Sequence, residues 1–303
     1  MKIFIDTAKL YEIKEALKWG IVDGVTTNPS LIKVAVEEKK KTGKKINMEE
    51  YIKEICCLVG KNGSVSLEVL SLKSEKIVEE AQILFKKFNP IANNVAIKIP
   101  IDTFVNGNKI GHYEGLKAIS MLSGMNIPIN VTLIMTPEQA LLAAKAGARY
   151  VSPFMARVDN RVREQLDINY MPEDYYDSEL EKEIASFKFK KYLEKNHNKS
   201  IANLYEDKNI KDIVSSNSDK GVYGGLDLVE QIVKIFDNYN FRTEVLAASV
   251  RNKTQFREVA KVGADVITIP FFLFEEILQH PRTEIGLKTF CENIVEEYRE
   301  LLK

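Results

Sequence analysis

Residues 93–100 read NNVAIKIP, and the fold turns on this stretch. Val95, Ile97 and Ile99 are apolar and β-branched, Pro100 ends the run, and Lys98 stands among them. That composition marks a buried strand. Lysine is almost never fully buried without a partner or a task. Side chains alternate along a strand, so the three aliphatic residues share one face and Lys98 takes the other.

Runs of the same kind recur at 2–7 (KIFIDT), 24–28 (GVTTN), 65–70 (VSLEVL), 128–135 (PINVTLIM), 150–154 (YVSPF), 243–249 (TEVLAAS) and 265–270 (DVITIP). Amphipathic helical stretches such as LYEIKEALKWG and SEKIVEEAQILFKKF lie between most of them, closed by Gly or Asn. Eight strand–helix units in 303 residues predict an α/β fold, a closed (β/α)8 TIM barrel forming a single domain over 1–303. An open doubly wound sheet is the alternative, but no glycine-rich turn follows KIFIDT. Residues 160–224, rich in Lys, Glu, Asp, Asn and Tyr, interrupt the pattern between strands six and seven. SELEKEIASFKFKKYLEK within them reads as a helix, so the stretch is expected to be an inserted, charged, helical excursion serving as a lid or a subunit contact; a partly disordered charged insert is the competing reading. A smaller insertion, DTFVNGNKIG at 102–111, follows the lysine strand. A C-terminal helix is expected over 283–302, with an apolar stripe to pack on its own barrel or on a neighbour in a homo-oligomer.

Lysine plus arginine equals aspartate plus glutamate, 43 each, so no basic field favours nucleic acid or an anionic membrane. MKIFIDTAKL has no signal-peptide core, and no apolar run is long enough to span a bilayer. Cys56, Cys57 and Cys291 make neither a disulfide framework nor a zinc spacing, and His112, His197 and His280 are scattered. A reduced, cytoplasmic protein without metal or cofactor is expected.

With the helix-facing side apolar, Lys98 points into the barrel. The same test turns Asp6 inward in KIFIDT, Ser66 and Glu68 in VSLEVL, and Asn130 and Thr132 in INVTLI, with Ile129, Val131 and Leu133 outward. In GVTTN, Thr26 and Asn28 oppose Val25 and Thr27. Many of these residues sit near C-terminal strand ends, where barrel enzymes place their chemistry. A lysine, a glutamate and an aspartate on one barrel mouth suit covalent catalysis; a structural ion-pair network is the competing reading. Burial disfavours the charged form of an amine, and a neutral amine attacks a carbonyl to form a Schiff base. A nearby carboxylate then moves the protons. SPFMARVD offers Ser152 and Arg157 after strand six, and AASVRNK offers Ser249 and Arg251 after strand seven. Arginines beside hydroxyls at late βα-loops suit a phosphate.

These residues carry a resemblance to the transaldolase family and its relatives, the fructose-6-phosphate aldolases. The matching motifs are FIDTA at 4–8, GVTTNPSL at 24–31, SLEV at 66–69, AIKIP at 96–100 and NVTL at 130–133. SPFMARVD at 152–159, LAASVRN at 246–252 and DVITIP at 265–270 continue the series. The resemblance implies Lys98 as the Schiff-base lysine, Asp6 and Glu68 as proton carriers, and Thr132 as holder of a catalytic water. It implies Asn28, Asn130 and Ser152 as ligands of the dihydroxyacetone hydroxyls, and Arg157, Ser249 and Arg251 as ligands of the sugar phosphate. The aldolases usually carry glutamine in place of Glu68 and tyrosine in place of Phe154, so this chain is similar to the transaldolases at both positions. The stretch FFLFEEILQHPRTEIGLKTF resembles the short branch that contains the aldolases, and the 160–224 insertion fits neither branch. Transfer of dihydroxyacetone between sugar phosphates in pentose phosphate metabolism is the expected activity. An aldolase and a non-catalytic sugar-phosphate-binding barrel are the alternatives.

Overall fold

The computed structural model describes residues 1–41, 46–107 and 111–303; residues 108–110 of the smaller insertion lie outside them. All eight predicted strands form, with ends shifted by a residue or two. They are β1 (Lys2–Asp6), β2 (Gly24–Thr26), β3 (Ser64–Glu68), β4 (Val95–Pro100), β5 (Ile129–Ile134), β6 (Tyr150–Pro153), β7 (Glu244–Ala247) and β8 (Val266–Ile269). They close in sequence order into a parallel barrel, β8 pairing with β1. Asparagine or glycine in the left-handed region stops three of the helices between strands, at Asn93, Asn240 and Gly263.

The alternation in NVAIKI holds. Ile97 and Ile99 are fully buried in the large core between barrel and helices, together with Val65, Ile129 and Val131. Each such side chain contributes about 1.5–3 kcal/mol of burial. A second, separate cluster fills the barrel interior: Phe4, Ala96, Tyr150, Leu246, Ala248 and Val266. Phe4 and Tyr150 meet edge to face there, with ring centroids 6.2 Å apart. Gly24 makes room for this contact, because a Cβ on it would stand 2.8 Å from the Phe4 ring and 2.6 Å from the Ser64 carbonyl.

One outward assignment fails. Leu133 was expected among the helices, but it adopts φ 58° and is 40% exposed, while Ile134 is fully buried. The pairing of β5 with β6 shifts register between Val131 and Ile134. A single left-handed residue resets the alternation, at a cost of about 1–2 kcal/mol for a side chain with a Cβ.

After β6, the helix Met155–Gln165 continues past residue 160, so the chain leaves the barrel only at Leu166. The charged stretch then forms the helices Ser178–Lys195 and Lys208–Ser215, capped by the Asp177 and Asp207 side chains. Val162, Leu166, Tyr176 and Ala185 make a small core of their own. Beside it, Arg163 and Glu181 form a buried ion pair at 3.8 Å. The chain returns through the helix Gly225–Tyr239.

The expected single helix over 283–302 is two helices, Pro281–Glu292 and Glu296–Glu300, broken at residues 293–295. Neither contains a buried residue, and Leu287, Phe290 and Leu301 are 62%, 73% and 79% exposed. Among the described residues, no helix is long and apolar enough to cross a membrane.

Candidate active site

Two residues above the apolar layer, the same strands carry polar side chains. Asp6 follows Phe4, Lys98 follows Ala96, Ser152 follows Tyr150 and Thr268 follows Val266. Parallel register sets neighbours side by side: Glu68 beside Lys98, Lys98 beside Asn130, and Asp6 beside Thr26.

Lys98 is 4% exposed. Its Nζ lies 3.2 Å from Glu68 Oε2 and donates to the Thr27 carbonyl at 3.2 Å. The Phe154 ring centroid is 5.9 Å from Nζ. The contact with Glu68 is a buried ion pair. Thr132 Oγ1 is buried with no hydrogen-bond partner among the described residues. An unpaired buried hydroxyl is rare and costly.

Asp6 keeps some exposed area but is densely enclosed. Burial raises its carboxyl above the ordinary aspartate value, opposed by the Thr26 hydrogen bond and the Lys98 charge. Thr26 Oγ1 donates to Asp6 Oδ1 at 2.6 Å and is also 2.6 Å from Thr268 Oγ1. Burial also raises Glu68, Lys98 opposes that rise, and the Asp6 charge adds to it. On the next strands, Ser152 Oγ donates to Asn130 Oδ1 at 2.6 Å, and Asn130 Nδ2 donates to Ser66 Oγ at 3.1 Å. That chain fixes the orientation of the Asn130 amide.

A cavity of about 200 Å³ opens above these groups. Asp6, Asn28, Lys98, Ser152, Phe154, Arg157, Ser249 and Arg251 all line it. Of the expected residues, Glu68, Asn130 and Thr132 stand outside its lining. Glu68 reaches it through Lys98, and Asn130 through Ser152. Asn28 spends its Oδ1 on the Leu31 N–H at the start of the helix Pro29–Lys41, which leaves its amide nitrogen as donor.

The rim is cationic. Ser249 has φ 60° in the loop after β7, and Arg251 follows it. The Arg251 backbone N–H donates to Gln255 Oε1 at 2.8 Å, and Gln255 Nε2 donates to Asp159 Oδ2 at 3.0 Å. The Gly225 N–H donates to Asp159 Oδ1 at 2.6 Å. Buried Asp159 thereby ties three helices to the loop that carries Arg251, although burial pushes its carboxyl up to about 6.

Thr26, Thr268 and Asp159 were not among the residues singled out as site residues. The alternation in DVITIP, applied as in NVAIKI, identifies Thr268; nothing in the sequence pairs Asp159 with Gln255.

The sequence model of the Transaldolase/Fructose-6-phosphate aldolase family matches residues 3–302. A probable transaldolase of Clostridium tetani is 38% identical over 293 residues, covering 97% of this chain and 97% of its own. A probable transaldolase of Caldicellulosiruptor saccharolyticus is 38% identical over 294 residues, covering 97% and 96%. One from Aquifex aeolicus is 37% identical over 293 residues, with the same coverage of 97% and 96%.

Proposed function

The chain belongs to the transaldolase/fructose-6-phosphate aldolase family, and on that premise we propose that it is a transaldolase working through a Schiff base on Lys98. The observation that carries this reading is a buried amine at the floor of a cavity, with Glu68 against it, Asp6 in the wall and two arginines at the rim.

In this mechanism Lys98 first passes its ammonium proton to the adjacent Glu68 carboxylate, and the freed Nζ lone pair then bonds to C2 of a ketose phosphate such as fructose 6-phosphate or sedoheptulose 7-phosphate. The carbinolamine loses its oxygen as water and leaves an iminium. Glu68 and Thr132 hold the water that carries these protons; the contact of Glu68 with Lys98 and the unpartnered Thr132 hydroxyl support that role. The Asp6 carboxylate takes the C4 hydroxyl proton as the C3–C4 bond breaks. The electron pair of that bond ends in an enamine on Lys98, and the aldose phosphate departs. Asn28, Asn130 and Ser152 bind the hydroxyls of the retained three-carbon unit. Arg157, Ser249 and Arg251 bind the phosphate. An acceptor aldose phosphate is then attacked by the enamine carbon, Asp6 returns its proton to the new alkoxide, and water releases the product. No metal or cofactor takes part, because the iminium is the electron sink. The reading implies a role in pentose phosphate metabolism.

Glu68 and Phe154 favour transfer over simple cleavage. A phenylalanine cannot orient a water to protonate the enamine, so the enamine waits for an acceptor. We expect Phe154→Tyr to raise acceptor-independent cleavage roughly tenfold. The deciding assay is glyceraldehyde 3-phosphate release from fructose 6-phosphate with and without erythrose 4-phosphate. Release that needs the acceptor supports transfer; equal release without it makes the enzyme an aldolase.

The reading includes a homo-oligomer. The apolar residues of Pro281–Glu292 and Glu296–Glu300 are uncovered in the single chain, and a second copy is the proposed cover. Sedimentation at the monomer mass would refute it.

A further inference from the structure

The guanidinium of Arg251 is divided between the cavity and the insertion. Its Nη1 donates to Asn160 Oδ1 at 3.2 Å and to the Pro172 carbonyl at 3.1 Å. Nη1 carries two of the five N–H groups of arginine, so both are engaged. What remains is the Nε–Nη2 edge, the planar fork that grips a phosphate through two parallel bonds. Arg251 lines the cavity, while Pro172 lies in the strap of residues 168–176 that joins Met155–Gln165 to Ser178–Lys195.

The strap is firmly held. Arg163 Nη2 donates to the Asp174 and Tyr175 carbonyls at 3.3 and 2.8 Å. The Tyr170 and Tyr176 rings flank the same guanidinium at 5.0 and 5.4 Å. Asn252 Nδ2 reaches the Glu173 carbonyl at 3.3 Å, and Tyr175 Oη donates to Glu258 at 2.7 Å. An arginine side chain loses much conformational freedom when it is fixed. Here that loss is met by protein carbonyls before any substrate arrives, which is preorganisation.

We propose that Asn160 and the 168–176 strap are positioning elements of the phosphate site, holding the Nε–Nη2 edge of Arg251 toward the substrate. The inserted segment therefore sets the preference of the enzyme for phosphorylated over unphosphorylated sugars. This rests on the reading of Arg251 as a phosphate ligand given above.

The test compares wild type with Asn160→Ala, Asn160→Asp and Asn252→Ser. The aspartate keeps an acceptor for Nη1. The serine keeps the cap of the helix Lys253–Val262 but cannot reach Glu173. Fructose 6-phosphate is assayed with erythrose 4-phosphate as acceptor, unphosphorylated dihydroxyacetone with unphosphorylated glyceraldehyde as acceptor, so that the second reaction contains no phosphate group, and inorganic phosphate is titrated by calorimetry. For Asn160→Ala we expect KM for fructose 6-phosphate to rise roughly ten- to a hundredfold, with kcat within about threefold and dihydroxyacetone use unchanged. Phosphate affinity should fall in parallel, Asn160→Asp should restore both, and Asn252→Ser should show a smaller loss of the same kind. In an Arg251→Ala background, Asn160→Ala should add nothing. Equal loss on both donors, or unchanged KM and phosphate affinity, would overturn the proposal. A wild type that turns over neither donor would defeat the transaldolase reading instead, and phosphate titration of the variants would still decide the role of the strap.

Discussion

Two layers of the barrel interior stand on the same strands, two residues apart, and follow opposite rules. The lower layer is Phe4, Ala96, Tyr150, Leu246 and Val266, closely packed around an edge-to-face aromatic pair. The upper layer holds Asp6, Lys98, Ser152 and Thr268 on four of those strands, with Glu68, Asn130 and Thr132 from β3 and β5. In it, the buried Thr132 hydroxyl has no partner among the described residues, Lys98 and Glu68 form a buried ion pair, and both carboxyls are raised by burial. Dispersion and burial stabilise the lower layer. The upper layer forgoes stability for groups poised to react, as functional sites do. The difference locates function more securely than any one residue.

The contrast can be broken or sharpened by substitution. Lys98→Met should have the largest effect, lowering kcat by about 10⁴-fold or more while the protein stays folded by circular dichroism. Phe4→Ala should do the reverse, lowering the unfolding free energy by about 3–5 kcal/mol in urea while kcat of the folded enzyme changes less than about threefold. A large catalytic loss without loss of stability would erase the distinction between layers. Thr132→Val probes both scales at once. It should lower kcat by roughly 10²-fold, because it removes the hydroxyl proposed to hold the catalytic water, while the unfolding free energy changes by less than about 1 kcal/mol, since no described protein group hydrogen-bonds that hydroxyl. Unchanged kcat, or a loss of several kcal/mol of stability, would contradict this role.

The mildest change is Thr26→Val, read in the pH profile of kcat/KM. The Thr26 hydrogen bond favours the Asp6 carboxylate, so its loss raises Asp6 still further above the ordinary aspartate value. In the proposed mechanism Asp6 must be charged to take the C4 proton, so activity should be lost as pH falls through its value. The acid limb should therefore move to higher pH in the variant, and Thr26→Ser should restore it. A limb that stays fixed or moves to lower pH would exclude Asp6 as its source.

The alternation in NVAIKI, KIFIDT and VSLEVL was enough to turn Lys98, Asp6 and Glu68 inward, because parity is a local property of a strand. It failed at Leu133, where one left-handed residue resets the parity and nothing in NVTLIM announces it. The hold on Arg251 was not legible either. It uses the backbone carbonyl of Pro172, 79 positions away, and a carbonyl has no sequence signature. The C-terminal break at residues 293–295 escaped for a milder reason: the apolar stripe continues across it, and helix ends without Gly or Pro are weakly marked.

The most direct test of the account is borohydride trapping with fructose 6-phosphate, followed by peptide mass mapping. The account predicts a reduced three-carbon adduct on Lys98 and on no other lysine. An unmodified Lys98 in an enzyme that remains fully active, or an adduct on a different lysine, would contradict it.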